Sequence, residues 1–599
     1  MLKKIVLLTV IFLFPLFFLP FTNDFFITNK LYLLALAALV LLLESCLQFL
    51  KSKKLVWYSR PLDWPVFFLV LAVTVSSFLT SPNQTAAILN PGFGLVTILS
   101  LSVLYFYLSR SNNRTIEQLN SMLILSAVLL SLSAIVFFFH PFKFIPAGFN
   151  LMGNRLNLAI FLGFSLLVIL NGRRKSKNPL KYPFLVLVFL AVALTGYSLF
   201  KQPPLLPPFD ISWYAALETL KSPLTALFGV GPDNFGYLFT QAKTVAYNQT
   251  ALAQVDFFTI SRSALLHILS VTGLVGFISF LTLLVKFYKQ KSSLVLLVYL
   301  LICSLLFPIS LPIMFLFFFT LATIEPADNK TAKPLSLDLS KTVPAYLLIT
   351  IAAFAFVAVS AYFLGQNYLA EYYFGKAMEA YNQKKNDQFV NGLVQAINLN
   401  PNIDKYHLAL SQVYLANFVN DVKQISQNPK GNTPSDQEQK NLDQAAQAAV
   451  AEAKNAINLN QTNSGNWAYL GSVYRNIASV NNNVLSSAVS AYQNAILLDP
   501  KNPAYYQVLS GIFYTTRQYD EATRFAEQAI DLKSTAVDPY YSAAWSSFQL
   551  GYVQKAVNLM QNIVNSIDKK KNKNFYDQAQ KDLATFKSKL PTPTPTPKL

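Results

Sequence analysis

Charged residues are scarce in this 599-residue chain, where they make up 13% of the sequence against 53% for apolar residues. Cysteine is scarcer still, because only Cys46 and Cys303 are present, each inside an apolar run. Neither a disulfide framework nor a zinc site can be built from two such residues. We therefore predict no metal site and no cofactor.

The net charge of +19 does not indicate a nucleic-acid partner. Much of the Lys and Arg lies in short loops between apolar runs, and this placement reports membrane topology rather than a basic binding face. Ionisable residues are nearly absent from the apolar runs themselves. This absence argues against a transporter or flippase, whose coupling sites require such residues within the spans.

Apolar runs recur from residue 5 to residue 364, and about 20 consecutive apolar residues suffice to cross a hydrocarbon core of about 30 Å as a helix. The first run follows Lys3 and Lys4 without a cleavage signature and is predicted to remain as an uncleaved span. Pro308 and Pro312 split the ninth and tenth runs into a helical hairpin or a re-entrant pair. Eleven spans are predicted: 5–21, 31–50, 63–81, 93–109, 119–139, 155–171, 182–200, 263–287, 292–307, 309–325 and 344–364.

Basic residues give these spans a direction, because cytoplasmic loops are enriched in Lys and Arg. With the N-terminus in the cytoplasm, the short outer loops hold only Lys30, Lys143 and Arg155. The inner loops hold Lys51, Lys53, Lys54, Arg60, Arg110, Arg114, Arg173, Arg174, Lys175, Lys177, Lys181, Lys286, Lys289, Lys291, Lys330, Lys333 and Lys341. An odd number of spans then places the C-terminal third outside the cytoplasmic membrane, and omitting the doubtful hairpin does not change this.

One long loop, residues 201–262, interrupts the apolar body on its outer side. A proline-rich lead-in is followed by an amphipathic stretch from Trp213 to Leu220 and by a glycine turn, Gly229-Val-Gly231. Long loops in compact proteins are usually functional or disordered, and the aromatic residues after the turn argue against disorder. The loop is predicted either to cap the helix ends or to form one wall of a substrate site.

The order of these features resembles the O-antigen ligase and polymerase family of bacterial envelope proteins over about residues 1–325. The similar segments are Gly153-Asn-Arg-Leu-Asn-Leu-Ala159, Trp213–Leu220, Gly229-Val-Gly-Pro-Asp-Asn-Phe235 and Ser261–Gly276. The resemblance implies transfer or polymerisation of a lipid-linked, undecaprenyl-type glycan on the outer face. We predict from this resemblance and from the cations on the outer side that the substrate is contacted by Arg155, Lys143, Trp213, Gly229, Gly231, Asn234 and Phe235.

The chain departs from the family at one position. The loop histidine that the resemblance implies is replaced by Arg262, and His267 lies more than a helical turn further on. His267 is either a substitute base or a packed structural residue. Arg262 could grip a pyrophosphate as a bidentate donor, together with the outer cations Arg155, Lys143, Lys201, Lys221 and Lys243. For the lysines an interfacial anchor is the preferred interpretation, and the loop acids Asp210, Glu218, Asp233 and Asp256 are not distinguished.

The C-terminal third repeats the phrase Ala-Ile-x-Leu at Ala396, Ala456, Ala495 and Ala529. The last two are 34 residues apart, which is the tetratricopeptide period. Trp467-Ala-Tyr-Leu-Gly-Ser-Val-Tyr474 matches the first half of that repeat. About 26 extra residues near 418–440 form either a longer helix pair or a loose loop. Such repeats dock partners and carry no catalytic chemistry.

The predicted fold is therefore all-α: a polytopic bundle of about eleven spans followed by an α-solenoid of about five repeats. The predicted parts are a ligase-like body 1–325, a cytoplasmic linker 326–343, a last span 344–364, a repeat domain 366–570 outside the membrane, and a basic, Pro-Thr-rich tail 571–599. Two functions stay open. The chain is either a glycosyltransferase of envelope polysaccharide assembly whose repeats hold an acceptor or partner protein, or a non-catalytic membrane scaffold on a degenerate ligase body.

Overall fold

The computed structural model describes residues 2–139, 145–146, 148–172, 181–289, 294–323, 335–340, 342–427 and 434–590. The elements of these ranges are α1 Leu2–Leu13, α2 Ile27–Ser52, β1 Lys54–Trp57, α3 Asp63–Leu79, α4 Gln84–Leu89, α5 Leu95–Leu108, α6 Asn113–Phe138, α7 Arg155–Gly172, α8 Lys181–Lys201, α9 Phe209–Thr219, α10 Pro223–Phe228, α11 Phe235–Ala242, α12 Ala264–Lys289, α13 Leu294–Leu306, α14 Leu311–Thr323, β2 Leu335–Asp338, α15 Val343–Asn382, α16 Asn386–Leu399, α17 Asp404–Ser426, α18 Asp436–Leu459, α19 Ser464–Ile477, α20 Leu485–Leu498, α21 Pro503–Thr515, α22 Tyr519–Leu532, α23 Val537–Gln549, α24 Val553–Ser566 and α25 Lys573–Lys587. Short 3₁₀ helices cover Val245–Gln249, Ala251–Gln254 and Asn482–Val484. The all-α class is confirmed, and within the described ranges the one addition is an antiparallel pair of four-residue strands.

The chain divides into two compact units. The body unit contains Met1–Leu238 and Phe258–Leu410, and the repeat unit contains Phe239–Phe257 and Ser411–Leu599. Residues 239–257 of the long outer loop therefore belong to the repeat unit, and residues 366–410, the first part of the predicted repeat domain, belong to the body unit.

Each of the eleven predicted spans contains an apolar helix of the body unit. Five of them, α2, α6, α8, α12 and α15, are long and apolar enough to cross a membrane, and the others are shorter. Helix α14 is buried on every side from Leu311 to Ala322, as expected of a helix that is apolar all round. Helices α8 and α15 instead expose large apolar side chains such as Val186, Leu348 and Ile351. Several apolar helices are thus present, and the number of full crossings stays a prediction.

Helix α15 continues for 40 residues without a break through the predicted boundary between the last span and the repeats. It packs on α2 at two levels. Near its start the Tyr346 hydroxyl donates to the Leu50 carbonyl at 2.9 Å, and further on the Tyr368 hydroxyl donates to Asn29 Oδ1 at 2.9 Å. The 22 residues between these tyrosines span roughly 33 Å at the helical rise.

Loops that were predicted to be cytoplasmic contact one another at one end of the body unit. Strand β1, which follows the second span, pairs with β2, which precedes the last one. Lys286 Nζ donates to the Pro61 carbonyl at 3.2 Å, and Arg110 forms an ion pair with the buried Asp63. The opposite ends of the helices contain Lys30, which is not in a loop as predicted but buried in α2, where Nζ donates to the Phe17 and Leu151 carbonyls.

The repeat unit is built from antiparallel helix pairs of 13 or 14 residues. Helices α20, α22 and α24 begin at Leu485, Tyr519 and Val553, so each step is 34 residues. Fully buried alanines, among them Ala495 and Ala529, let the paired helices approach closely. These features support the prediction of a tetratricopeptide-repeat domain.

Two irregular stretches of the repeat unit are resolved by the structure. Of the extra residues near 418–440, the described ones, 418–427 and 434–440, lie in or beside a longer helix pair, because α17 and α18 have 23 and 24 residues and share an apolar core around Phe418 and Leu442. The segment predicted as the tail begins with one more helix, α25, whose Phe586 is buried against α24 and α23. That helix forms because Ala579, Leu583 and Phe586 recur at helical spacing on one face.

Candidate functional site

The glycine turn of the outer loop contacts helix α12 at a break in that helix. Gly273 has φ 63° and ψ −163°, so the helix is interrupted there and the carbonyls before it lose their intrahelical partners. The Val230 and Gly231 amides donate to the Ser270 and Val271 carbonyls, both at 3.1 Å. The amides of the turn therefore donate hydrogen bonds to carbonyls that the break leaves without an intrahelical donor.

The contact between the glycine turn and the break in α12 is called the joint. Glycine is required on both sides of it, because the two backbones are in close contact. A Cβ on Gly229 would lie 2.2 Å from the Val271 carbonyl carbon, and a Cβ on Gly273 would lie 2.5 Å from Leu227 backbone atoms. A Cβ on Gly276 would meet the Thr272 hydroxyl at 2.0 Å. Two of the motifs that resemble the family, around Gly229 and around Gly273, therefore pack directly against each other and form the two halves of one joint. The structure gives Gly229 and Gly231 a backbone role at this joint.

His267 and Phe235 lie in the packed interior beneath the joint. The His267 side chain is 1% exposed, its Nδ1 accepts from the Ser261 amide at 3.4 Å, and its ring lies 5.4 Å from that of Phe235. Phe235 itself is fully buried. This environment is that of a structural histidine, since no face of the ring meets the outer surface.

Arg262 is half-buried immediately before α12. Its amide donates to Ser212 Oγ at 2.9 Å, and its guanidinium lies 5.0 Å from the centre of the Phe209 ring. Its Nε has no hydrogen-bond partner among the described residues. Desolvation lowers the pKa of Arg262, which remains a cation. Trp213 lies on helix α9, which also contains Phe209 and Ser212, and its side chain is 53% exposed.

Arg155 is fixed beside a cavity of about 210 Å³ between the ends of α6, α7 and α8. Its Nη1 donates to Gln202 Oε1 at 2.6 Å. Its guanidinium also lies against Gly148, which has φ +83° and where a Cβ would come within 2.3 Å of Nη2. The glycine and the glutamine, 54 residues apart in sequence (202 − 148 = 54), thus set the position of one cation.

The described lining of this cavity is polar and cationic on one side. It contains Arg155 and Lys201, whereas no carboxylate is present among its described lining residues. Arg262, Trp213, Asn234 and the glycine turn are not part of this lining, so the predicted site residues do not all meet in it. Lys143 lies outside the described residues. The full described lining is Ala134, Phe137, Phe138, Gly148, Phe149, Asn150, Arg155, Leu158, Leu194, Thr195, Tyr197, Ser198, Lys201 and Gln202.

Asp233 stands out among the loop acids. Desolvation of its carboxyl group, reinforced by Asp404 and opposed by Lys405, raises the pKa of Asp233 to about 7. A carboxyl group with such a pKa can accept or donate a proton near neutral pH. Its neighbour Asn234 is buried, and the Asn234 amide donates to the Gly231 carbonyl at 3.1 Å, so that residue completes the turn.

The remaining outer lysines have defined partners. Lys221 is a surface residue that pairs with Glu218 at 2.6 Å, and Lys201 lies 5.8 Å from the Tyr197 ring. Lys243 belongs to the repeat unit, where its ammonium group is buried against Asp499. The hypothesis that Lys243 grips a pyrophosphate is therefore wrong, because its charge is already compensated out of reach of solvent.

A polar groove runs along α15 in the body unit. It consists of two adjoining cavities of about 490 and 540 Å³ that share Lys376 and Glu379. Side-chain amides and aromatic rings dominate the lining, which includes Phe21, Tyr372, Tyr373, Asn382, Gln383, Gln388, Asn391 and Gln395. Such a lining offers many neutral donors and acceptors together with flat apolar faces.

No family model matches the chain, and no curated protein matches it significantly. Among solved structures, MamA is similar at 17% identity over 34% of this chain and 93% of its own, with a TM-score of 0.27. YrrB, a tetratricopeptide protein with an unusual peptide-binding site, is similar at 13% identity over 37% and 91%, with a TM-score of 0.26. A tetratricopeptide protein from Thermus thermophilus is similar at 12% identity over 37% and 99%, with a TM-score of 0.24. The repeat assignment rests on the helix pairs and their 34-residue steps.

Proposed function

We propose that this chain is a multi-span protein of the cytoplasmic membrane that binds a lipid-linked glycan through its pyrophosphate and transfers or polymerises it on the non-cytoplasmic face. The observation that carries the proposal is the Arg155 cavity, a recess with two cations and no described carboxylate. A guanidinium held in place by Gln202 and Gly148 is suited to bidentate binding of a phosphate group. The repeats dock the acceptor or a partner protein.

The chemistry follows from the charge of the leaving group. An acceptor hydroxyl replaces the lipid pyrophosphate at the anomeric carbon, so that one C–O bond forms as another breaks. Negative charge grows on the departing pyrophosphate, and fixed cations such as Arg155 and Lys201 stabilise it. Asp233 has a pKa that suits it to take up the proton of the hydroxyl, although it lies outside the described lining of the cavity.

Three observations support the proposed membrane location and the predicted grouping of the loops on two sides. Large apolar side chains are exposed on α8 and α15, as on a surface that faces lipid. The ends of α6, α7 and α8 that meet at the cavity all belong to the side predicted to be outer. Helix α15 contacts Leu50 at the predicted inner level and Asn29 at the predicted outer level, about one hydrocarbon thickness apart.

This orientation gives a direct prediction for cysteine labelling. In a chain with Cys46 and Cys303 replaced by alanine, Asn558→Cys on the exposed face of α24 is expected to react with a membrane-impermeant maleimide on intact cells. Ser52→Cys, at the exposed end of α2, is expected to react only after lysis. Labelling of Ser52→Cys on intact cells and protection of Asn558→Cys would reverse the topology.

A second candidate is a non-catalytic membrane scaffold that presents the repeats to an envelope complex. It is favoured by Arg262, which stands in place of the loop histidine that the resemblance implies, and by the burial of His267, which keeps that residue from serving as a substitute. The repeats and the polar groove along α15 serve either function, because both docked partners and glycan acceptors offer hydrogen-bonding groups.

Deletion of the gene separates the two candidates. The transferase proposal predicts that deletion shortens or removes a surface glycan while its lipid-linked precursor accumulates, and that the wild-type chain restores the glycan. Unchanged surface glycan and unchanged precursor in the deletion strain would refute the transferase function. A glycan defect that is restored equally well by a chain carrying Arg155→Ala would support the scaffold instead.

A further inference from the structure

A short piece of the outer loop, residues 239–257, is part of the repeat unit and is called here the loop segment. Its first residues contact the C-terminal end of α20. Thr240 Oγ1 donates to the Leu498 carbonyl at 2.7 Å, and Gln241 Nε2 donates to the Leu497 and Leu498 carbonyls at 3.1 and 3.0 Å. The last carbonyls of a helix have no intrahelical donor, so these side chains act as a C-terminal cap supplied from a distant part of the sequence.

The loop segment also reaches the next repeat. Asn248 Nδ2 donates to the Lys501 carbonyl at 2.8 Å and to the carbonyl of Leu532, the last residue of α22, at 3.2 Å. Asn248 itself is buried. One asparagine thus joins the ends of two successive repeats, which defines a binding surface formed by the C-terminal ends of α20 and α22.

A buried ion pair fixes the register of this contact. Lys243 Nζ lies 2.7 Å from Asp499 Oδ2, and the two side chains are 2% and 0% exposed. Burial raises the pKa of Asp499, and Lys243 opposes this shift. A buried charge without its partner is costly, so a segment lacking the lysine would bind this surface poorly. The position 34 residues after Asp499 is Lys533, so the next repeat does not offer the same carboxylate.

The loop segment is also held together by contacts within itself. The Tyr247 hydroxyl lies 2.8 and 2.7 Å from the Leu252 and Val255 carbonyl oxygens, either of which can accept its single proton, and its ring packs edge-on against Phe239. Lys243 Nζ also lies 3.4 Å from the Asp256 carbonyl. The Lys243 ammonium group therefore contacts the repeats through Asp499 and the loop segment through the Asp256 carbonyl.

We infer that the surface formed by the C-terminal ends of α20 and α22 is a lysine-specific binding site whose ligand is the chain's own loop segment, and that the Lys243–Asp499 pair positions the outer loop for glycan transfer. The positioning role rests on the proposed function, whereas the binding site does not. The repeats then have two tasks, since one part of their surface is occupied from within the chain and only the rest is open to an external partner.

Hydrogen exchange on the full chain in lipid nanodiscs tests the binding site. Lys243→Met and Asp499→Asn are each expected to speed exchange of residues 239–257 at least tenfold, while α23 and α24 keep their protection and report that the repeats are folded. The double variant Lys243→Met/Asp499→Leu removes both charges and is expected to recover most of the protection. Asp531→Asn, an exposed acid on α22, is the matched control and should change nothing.

Asn248→Ala is a second probe that leaves the ion pair intact and is expected to speed exchange of the same residues. Unchanged exchange in both single charge variants, or equal effects of Asp531→Asn, would overturn the binding site. Glycan transfer measured on the same variants tests the positioning role. It should fall with each single variant and return with the double variant, and normal transfer by a chain whose loop segment exchanges freely would overturn that role. If exchange behaves as expected but gene deletion leaves glycans unchanged, the proposed function fails and the binding site stands.

Discussion

Replacing Gly229 by alanine is expected to give the largest loss of stability of any single methyl addition in the body unit. Gly229 has φ 74° and ψ −168°, a backbone conformation that is essentially restricted to glycine and costs other residues about 1–3 kcal/mol. The added Cβ would also lie 2.2 Å from the Val271 carbonyl carbon. The obstacle is backbone, which cannot rotate away as a side chain could, so overpacking adds about 1–3 kcal/mol or more.

The expected result for Gly229→Ala is a strongly reduced yield of monodisperse protein and a lower thermal midpoint in detergent. Gly196→Ala is the matched control, because Gly196 lies in the apolar helix α8 and an added Cβ there would have no atom within 4 Å. Alanine there should leave the midpoint unchanged or raise it slightly, since alanine is the better helix former. A Gly229→Ala protein as stable as Gly196→Ala would show that the glycine turn and the break in α12 are not in contact.

Replacing Arg155 by alanine is expected to reduce glycan transfer about 100-fold, the usual size of the loss when one preorganised donor to a developing negative charge is removed. Arg155→Lys keeps the charge but loses the two-pronged geometry, so it should retain part of the activity. Lys221→Ala is the control, because Lys221 is an exposed outer-loop cation in a surface pair.

The measurement is the amount of precursor converted to surface glycan in a deletion strain that carries each variant at equal expression. Full activity of Arg155→Ala would remove the cavity from the mechanism. A loss shared equally by Lys221→Ala would point to general surface charge instead.

The repeats could be predicted from the sequence because their contacts are local. Each helix packs on the next one along the chain, so the spacing of small and aromatic residues at 34-residue steps contains the whole pattern. The extra length of α17 and α18 was visible as a longer interval between Ala396 and Ala456. Its form was not, because an insertion rich in Asn, Gln and Lys is compatible with either a polar helix or a loop.

The site could be predicted only in part, because its contacts join distant positions. Nothing in the sequence connects Arg155 with Gln202 or Lys243 with Asp499, since each pair is made by the fold. The resemblance to a family singles out the glycine motifs around Gly229 and Gly273, but it does not reveal the backbone contact between them. Gly229 and Gly273 are 44 residues apart (273 − 229 = 44), so the sequence does not show that their motifs contact each other at one joint. The sequence places Lys30 in a loop because Thr28, Asn29 and Lys30 make the start of α2 more polar than the rest of that helix.

The measurement that tests the central proposal most directly is the binding of a polyprenyl pyrophosphate to the full chain purified in nanodiscs. The cavity at Arg155 predicts saturable binding that inorganic pyrophosphate displaces, that Arg155→Ala weakens at least tenfold, and that Lys221→Ala leaves unchanged. Binding of the same strength in wild type and Arg155→Ala, or no saturable binding at all, would contradict the proposal that this membrane body recognises a lipid-linked glycan by its pyrophosphate.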